Sequence, residues 1–235
     1  MERDPRVAHE AEEAAGAARG DAANCVAPLF PMANVFLFPG TRMPLHIFEP
    51  RYRQMVGDLL DGSGRLVLGT LCDSNGKLGS ACPPGFVAED ADGKPPVLSI
   101  GGLAEILQHE RLPDGRYYIL VAGLARVRIR EAPCDRLYRR VLVTPVCETP
   151  VCPSREPILR EKLSRAVLSR CKELDALPNG VSLSQLADLL LLRLQLPSSL
   201  MSPLFSELDV ERRVLGALAE HAKRPGNGGG ALGWG

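Results

Sequence analysis

The feature that most constrains the fold is a hairpin signal between two long β-prone runs. Residues 103–111 and 117–130 flank the five residues Leu-Pro-Asp-Gly-Arg. Asp-Gly after proline favours a tight turn, because glycine readily adopts the positive φ angle that such turns need. In the second run small and apolar residues alternate with Arg126, Arg128 and Arg130. This spacing predicts two antiparallel strands with one buried face and arginines on the other.

Shorter β-prone runs, broken by proline and glycine, fill the rest of the first half. The candidates are residues 29–31, 35–38, 65–72, 97–100 and 137–146. One helix is expected among them, beginning at Pro50, whose missing N–H costs nothing in a first helical turn. Its apolar side chains share one face at helical spacing: Tyr52, Met55, Val56, Leu59 and Leu60. A helix inside a β segment predicts a small barrel that the helix covers.

The second half has helical periodicity from about residue 153. Ser182 and Gln185 have the spacing of a capping box, and another amphipathic helix is expected over residues 207–223. The fold class is therefore α+β, with a β barrel followed by a helical bundle. We expect a disordered tail at 1–27, a β domain at 28–150, a helical subdomain at 151–224 and a disordered Gly-rich tail at 225–235.

Composition and charge exclude several classes of protein. The 28 basic and 28 acidic residues balance, so no overall field draws the chain to nucleic acid or to an anionic membrane. The longest apolar stretch is interrupted by Asp188 and Arg193, and it is shorter than the roughly 20 residues of a membrane span. The seven cysteines form no close pair of the kind that binds zinc, and the first residues, Met-Glu-Arg-Asp-Pro, are not expected to form a secretory signal. We expect a cytoplasmic protein with reduced thiols and no metal or cofactor.

Several stretches resemble, in the expected order, the N-terminal substrate-binding domain of Lon proteases. They are LFPMANVFLFPG at 29–40, MPLHIFEPRY at 43–52, GLAEI at 102–106, LPDGRY at 112–117, VAGLAR at 121–126 and ELDVERR at 207–213. The resemblance covers about residues 28–222. It implies a PUA-like β pseudo-barrel with one embedded helix, followed by a C-terminal helical bundle, in agreement with the pattern above.

The resemblance also implies a function. In Lon proteases this region engages unfolded or degron-bearing substrates, and the ATPase and Ser-Lys peptidase that follow it there have no counterpart in this sequence. We therefore expect a non-catalytic polypeptide-binding module, acting as an adaptor or regulator in protein turnover. The implied partners are unfolded or degron-bearing polypeptides, with a separate protease or chaperone as a further candidate.

Apolar side chains cluster around the predicted turn at residues 39–40. At strand spacing such residues are more often part of a core, but exposed ones would accept the apolar side chains of an unfolded peptide. A free strand edge beside them would allow β-augmentation. We assign Phe36, Phe38 and Met43 as candidate peptide-binding residues, and Phe48 belongs to the same cluster. No catalytic residue is assigned, because His46 has no evident nucleophile or orienting partner.

The alternative function is that of a PUA-like RNA-binding protein. Seven arginines lie between residues 116 and 140, against Glu131 and Asp135. Proteins that read single-stranded RNA usually add aromatic stacking platforms, and few aromatic residues are interleaved here. We therefore favour a solvated face or a protein partner for these arginines.

Overall fold

The computed structural model describes residues 25–72, 95–171, 176–177 and 180–224. The disorder predicted for residues 1–24 and 225–235 lies outside these ranges. The chain forms two compact units that divide between Val146 and Cys147, four residues before the expected boundary. The tail prediction is wrong for residues 25–27, because these residues pair with residues 141–143 in an antiparallel ladder.

Six strands and one helix form the described part of the first unit. They are β1 (Cys25–Met32), β2 (Arg42–Ile47), α1 (Pro50–Leu60), β3 (Arg65–Thr70), β4 (Ile100–Arg111), β5 (Tyr117–Ala132) and β6 (Arg139–Pro145). The strand order is β2-β5-β4-β3-β1-β6, and β6 also pairs with β5. Five strands thus close into a ring, and β2 lies outside it on the long strand β5. The predicted α+β architecture, with a ring of strands and one embedded helix, is confirmed.

The β4–β5 hairpin has the predicted turn. Gly115 has a φ angle of +81°, and the Leu112 N–H donates to the Arg116 carbonyl oxygen over 2.8 Å. The Asp114 carboxylate accepts a hydrogen bond from the Arg116 backbone N–H at 3.0 Å, so a side chain also stabilises the turn. This local hydrogen bonding fixes the pairing of the two longest strands in the unit.

Two apolar clusters lie on opposite faces of the sheet. The first lies beneath α1 and contains the buried residues of its predicted face, Tyr52, Met55, Val56 and Leu59. The second draws side chains from all five ring strands and so fills the ring: Ala27, Leu29, Val67, Val97, Leu103, Val127, Ile129, Val141 and Val143. Successive side chains of β3 point to opposite faces, so Leu66 and Leu68 belong to the first cluster and Val67 belongs to the second.

The strand predicted at residues 35–38 is absent, and the segment crosses the sheet instead of pairing with it. Gly102 and Gly123 make this crossing possible, since each leaves room where a side chain would stand. A Cβ on Gly102 would lie 2.6 Å from the Leu37 carbonyl oxygen. The Thr70 hydroxyl donates to the Val35 carbonyl oxygen at 2.5 Å and holds one end of the segment. The run is apolar because it covers the sheet, and we call it the crossing segment.

The described part of the second unit contains four helices. They are α2 (Glu156–Arg170), α3 (Leu183–Leu194), α4 (Ser198–Ser206) and α5 (Val210–Ala222). The capping box is confirmed, with the Gln185 N–H on the Ser182 hydroxyl at 3.1 Å and the Ser182 N–H on the Gln185 side chain at 2.9 Å. Helix α4 was not predicted, because it is short and contains Pro203, a residue that usually interrupts a helix. None of the helices among the described residues has the length and apolar character needed to cross a membrane.

Replacing Ser182 with alanine should lower the free energy of unfolding of the second unit by about 1 kcal/mol. The change removes the hydroxyl that accepts the Gln185 N–H at the start of α3. Urea denaturation followed by circular dichroism at 222 nm measures the effect. Ser182→Thr is the matched control, since it keeps a capping hydroxyl and should stay close to the parent protein. Equal stability of all three proteins would show that the capping box does not contribute.

Candidate peptide-binding site

The first component of the site is the unpaired edge of β2. Among the described residues β2 pairs only with β5, so its other edge has no strand beside it. The Gly123 N–H donates to the Thr41 carbonyl oxygen at 2.8 Å, which sets the alternation of the antiparallel ladder. By that alternation the backbone groups of these residues point away from β5: Arg42, Pro44 and His46. Pro44 has no N–H to leave unpaired there, as is usual for proline in an edge strand.

The second component is a row of exposed aromatic side chains beside this edge. His46 stacks on Tyr118, with ring centroids 4.7 Å apart and an interplanar angle of 26°. The ring of Phe48 follows, 5.9 Å from that of His46. Phe48 is 59% exposed and Tyr118 is 50% exposed, so with His46 they place three adjacent aromatic rings at the surface. We call these three residues the aromatic row.

The three residues assigned from the sequence do not come together at the surface. Phe38 is fully buried, because the crossing segment carries it against the sheet. It is therefore a core residue and cannot contact a peptide, which corrects that part of the assignment. Phe36 and Met43 are half-buried, and Met43 packs against the cluster beneath α1. Phe48, the fourth aromatic or apolar residue of the predicted cluster, is the one that is exposed.

Most of the arginines between 116 and 140 are buried or paired with a carboxylate. Arg126 is buried, with its guanidinium carbon 5.3 Å from the centroid of the Phe38 ring, so it is not on the solvated face that the sequence predicted.

Arg139 is paired with Glu131 and also donates to the Pro95 carbonyl oxygen at 2.7 Å. Arg116 and Arg136 lie within ion-pair distance of Asp114 and Asp58 respectively. Arg128 and Arg130 are exposed as expected and Arg140 is half-buried, so the basic surface is smaller than the seven arginines of the sequence predict.

His46 is a member of the aromatic row, with the Tyr118 and Phe48 rings on its own ring. Glu49 and Arg51 form the ion pair expected at the start of α1, with 2.7 Å between the carboxylate and the guanidinium. Among the residues that the structure describes, no group of three or more His, Cys, Asp or Glu side chains is arranged to hold a metal ion.

A basic depression lies at the end of β2 nearest to α1. It has a volume of about 340 Å³ and is lined by Pro50, Arg53, Gln54, Arg111, Gly115 and Tyr117. The backbone N–H of Arg116 holds the pKa of the neighbouring Asp114 carboxyl below its usual value. That carboxylate is therefore charged at neutral pH, and it is already paired with Arg116 at 2.6 Å.

Sequence reasoning missed the pairing of His46 with Tyr118 because 72 residues separate them along the chain. The two side chains meet only through the register of β2 on β5, in which His46 lies opposite Tyr118. The one available signal was the alternation along β2, in which Arg42, Pro44 and His46 share one face and the apolar Met43, Leu45 and Ile47 share the other.

Comparison with known proteins places this chain in a family. A Lon protease 2 from Sorangium cellulosum is 27% identical over 121 residues, which cover 52% of this chain and 14% of that protein. A Lon protease from Trichlorobacter lovleyi is 30% identical over 105 residues, covering 44% of this chain and 11% of the relative. The chain thus matches only a small part of the length of these relatives.

Two solved structures share the fold. The N-terminal domain of a Lon protease from the Mycobacterium avium complex superposes with a TM-score of 0.58 at 20% identity, covering 86% of this chain and 100% of that one. A Lon N-terminal domain protein from Xanthomonas campestris gives 0.56 at 22% identity, covering 83% and 98%. The family model of the ATP-dependent protease La (LON) substrate-binding domain matches residues 26–218. This chain therefore belongs to the family of Lon substrate-binding domains.

Proposed function

We propose that this chain binds extended polypeptide segments at the free edge of β2 and that it does so as a non-catalytic adaptor or regulator in protein turnover. The observation that carries the proposal is the free edge of β2 beside the exposed aromatic row. Membership in a family of substrate-binding domains supports a polypeptide as the ligand.

Strand addition suits a ligand that has lost its fold. The outward N–H groups of Arg42 and His46, and the carbonyl groups of the same edge, would pair with the backbone of any extended peptide. Backbone pairing is nearly independent of sequence, so it selects for unfolded chains over folded ones, whose strands are already paired. The aromatic row would then contact the apolar side chains that unfolding exposes.

The expected affinity is modest. One short edge strand and three side chains offer a contact area well below that of a stable protein complex. Part of the interaction energy is spent on ordering the peptide, so dissociation constants on the order of micromolar are expected. Weak and reversible binding fits a module that passes a polypeptide to a separate protease or chaperone.

Simultaneous replacement of Phe48 and Tyr118 by alanine should weaken peptide binding by about tenfold or more. The change removes two exposed rings of the aromatic row and leaves the backbone edge of β2 in place. Fluorescence anisotropy with a labelled, extended apolar peptide measures the dissociation constant. A version of the peptide with N-methylated backbone at alternate residues should also bind weakly, because it cannot complete the ladder with β2.

The matched control is Leu215→Ala in α5, which removes an apolar side chain that is 44% exposed in the second unit. It should leave the affinity of the peptide unchanged. If the double variant keeps its circular dichroism spectrum and still binds as the parent does, the aromatic row is not the contact surface. Equal binding of the N-methylated and unmodified peptides would argue against strand addition.

A further inference from the structure

The basic depression carries two arginines, Arg53 and Arg111, that form no ion pair with any described carboxylate, although the charge of Arg53 contributes to the lowered pKa of Asp114. Among the described residues no carboxylate lies within ion-pair distance of Arg53 or Arg111, whereas the nearby Glu49 and Asp114 are paired with Arg51 and Arg116. Two positive charges therefore share a concave surface of about 340 Å³. That volume is at the small end of the range for ligand pockets.

The turn of the β4–β5 hairpin positions Arg53. A Cβ on Gly115 would lie 3.0 Å from the Arg53 guanidinium carbon, so the guanidinium packs directly on the glycine backbone. The positive φ angle of Gly115 and this close approach both require glycine at the position. Arg111 also lines the depression, and its guanidinium carbon is 5.9 Å from the centroid of the Tyr117 ring.

Gln54 adds a neutral donor of fixed orientation. Its side-chain oxygen accepts the Leu137 backbone N–H at 3.3 Å, so the amide NH₂ is the end left for a ligand. The polar groups of Arg53, Arg111 and Gln54 that remain for a ligand are all hydrogen-bond donors. A planar anion that accepts several hydrogen bonds satisfies such a set best, and guanidinium groups bind carboxylates in a two-point geometry.

The depression lies close to the proposed peptide site. Pro50 is two residues beyond Phe48, and Tyr117 lies opposite Ile47 at the end of β2. Two residues of extended chain span roughly 7 Å, so a peptide on the edge of β2 can reach the depression with its next residues.

We propose that the basic depression binds a carboxylate of the polypeptide, either its C-terminal carboxylate or an acidic side chain next to the apolar segment. This inference rests on the proposed function and narrows it to a substrate class: extended apolar segments that carry an adjacent carboxylate. Arg53 and Arg111 supply the charge, and Gln54 supplies a directional N–H.

A first experiment tests the depression without any long peptide. The Nε–Hε signals of arginine are followed by NMR in the ¹⁵N-labelled full chain during titration at constant ionic strength. The probes are N-acetylalanine, its uncharged amide N-acetylalaninamide, and inorganic phosphate. The carboxylate should shift the signals of Arg53 and Arg111, which the variants Arg53→Gln and Arg111→Gln identify, and the amide should not.

Unchanged signals with N-acetylalanine, or equal shifts with its amide, would overturn the proposal. Tighter binding of inorganic phosphate than of the carboxylate would also overturn it, because the site would then favour a phosphate ligand over a peptide end.

A second experiment connects the depression to the peptide. One apolar peptide is prepared with a C-terminal acid, with a C-terminal amide, and as the amide with one added glutamate. The parent protein should bind both anionic forms about tenfold or more tightly than the amide, as expected for a charge-assisted hydrogen bond. The double variant Arg53→Gln, Arg111→Gln should remove this preference and leave binding of the amide unchanged.

The matched control is Arg128→Gln, which removes one exposed arginine of β5 outside the depression. It should keep the preference for the anionic peptides. Equal binding of acid and amide by the parent protein would contradict the carboxylate site and leave strand addition intact. If none of the peptides binds, strand addition fails, and the N-acetylalanine titration then decides the carboxylate site alone.

Discussion

Replacing Arg213 with alanine should lower the free energy of unfolding of the second unit by about 3–5 kcal/mol. The Arg213 side chain is fully buried, and its Nε lies 3.2 Å from the Asp188 carboxylate, away from the hydrogen-bond direction. Its other nitrogens donate to Glu148 at 2.6 Å, to the Ser184 hydroxyl at 2.5 Å and to the Glu207 carbonyl oxygen at 2.6 Å. Alanine would leave a cavity and remove a guanidinium that lies against the buried Asp188 carboxylate. Urea denaturation followed at 222 nm measures the loss.

The neighbouring Arg212 provides the control for this prediction. Its side chain is 71% exposed and lies 3.4 Å from Asp209 and 3.6 Å from Glu207. Exposed ion pairs of this kind contribute only about 0–1 kcal/mol, so Arg212→Ala should change stability little. Equal losses for the two alanine variants would mean that the buried cluster does not stabilise the unit, and that the effect comes from helix α5 as a whole.

The parts of the fold that the sequence predicted well depend on neighbouring residues. The β4–β5 turn, helix α1 and the capping box at Ser182 each come from signals within a few positions of one another. In these segments turn chemistry, the apolar period and capping act locally and agree with the tertiary structure. The structure of such a segment can therefore be predicted from its own residues, without knowledge of the segments that pack against it.

The crossing segment shows where local reading fails. Residues 35–38 have the composition of a strand, but their partner is a surface prepared far away by Gly102 and Gly123. The sequence of the segment alone does not distinguish an apolar run that pairs in a sheet from one that lies across it. Both bury their side chains, and the choice depends on contacts more than 60 residues distant.

A β-bulge explains why Arg126 is buried although the sequence pattern predicted it on the exposed face of β5. The register between β4 and β5 shifts at Leu103/Ala104, where Leu124 is left without a partner. Before this point Val121 faces the cluster beneath α1, and after it Val127 faces the ring interior. Arg126 lies opposite Gly102, on the face that the crossing segment covers, and is therefore buried under Phe38. Strict alternation along β5 could not reveal this, because a single extra residue exchanges the two faces.

The sequence predicted the type of surface that forms the candidate site, but only some of its residues. A free strand edge with exposed apolar groups was expected near residues 36–48, and Phe48 lies in the aromatic row. His46 and Tyr118 were not grouped, since their contact depends on the register between β2 and β5. The same register brings Tyr117 and Arg111 to the basic depression, so both surfaces follow from pairings that span most of the first unit.

Replacing Gly102 with alanine should destabilise the first unit by about 3 kcal/mol, at the upper end of the cost of overpacking. The new Cβ would lie 2.6 Å from the Leu37 carbonyl oxygen and 2.8 Å from the Leu37 Cβ. These are atoms of the backbone and its first carbon, so no side-chain rotation relieves the contact. The crossing segment would have to lift, which would expose Leu37, now 1% exposed, and loosen the contact of Phe38 with Arg126. Thermal and urea denaturation of the full chain measure the loss.

Gly57 in α1 is the matched control, because a Cβ there meets no atom within 4 Å. Gly57→Ala should stabilise the unit by about 0.5–1 kcal/mol, since alanine favours the helix more than glycine does. The same methyl group thus has opposite effects at the two sites, and the sign depends only on what lies over the glycine. If Gly102→Ala were as stable as the parent protein, the crossing segment would not be packed on the sheet. The crossing segment would then not explain the burial of Arg126. The sequence-based prediction that the arginines of β5 form an exposed face would have to be considered again.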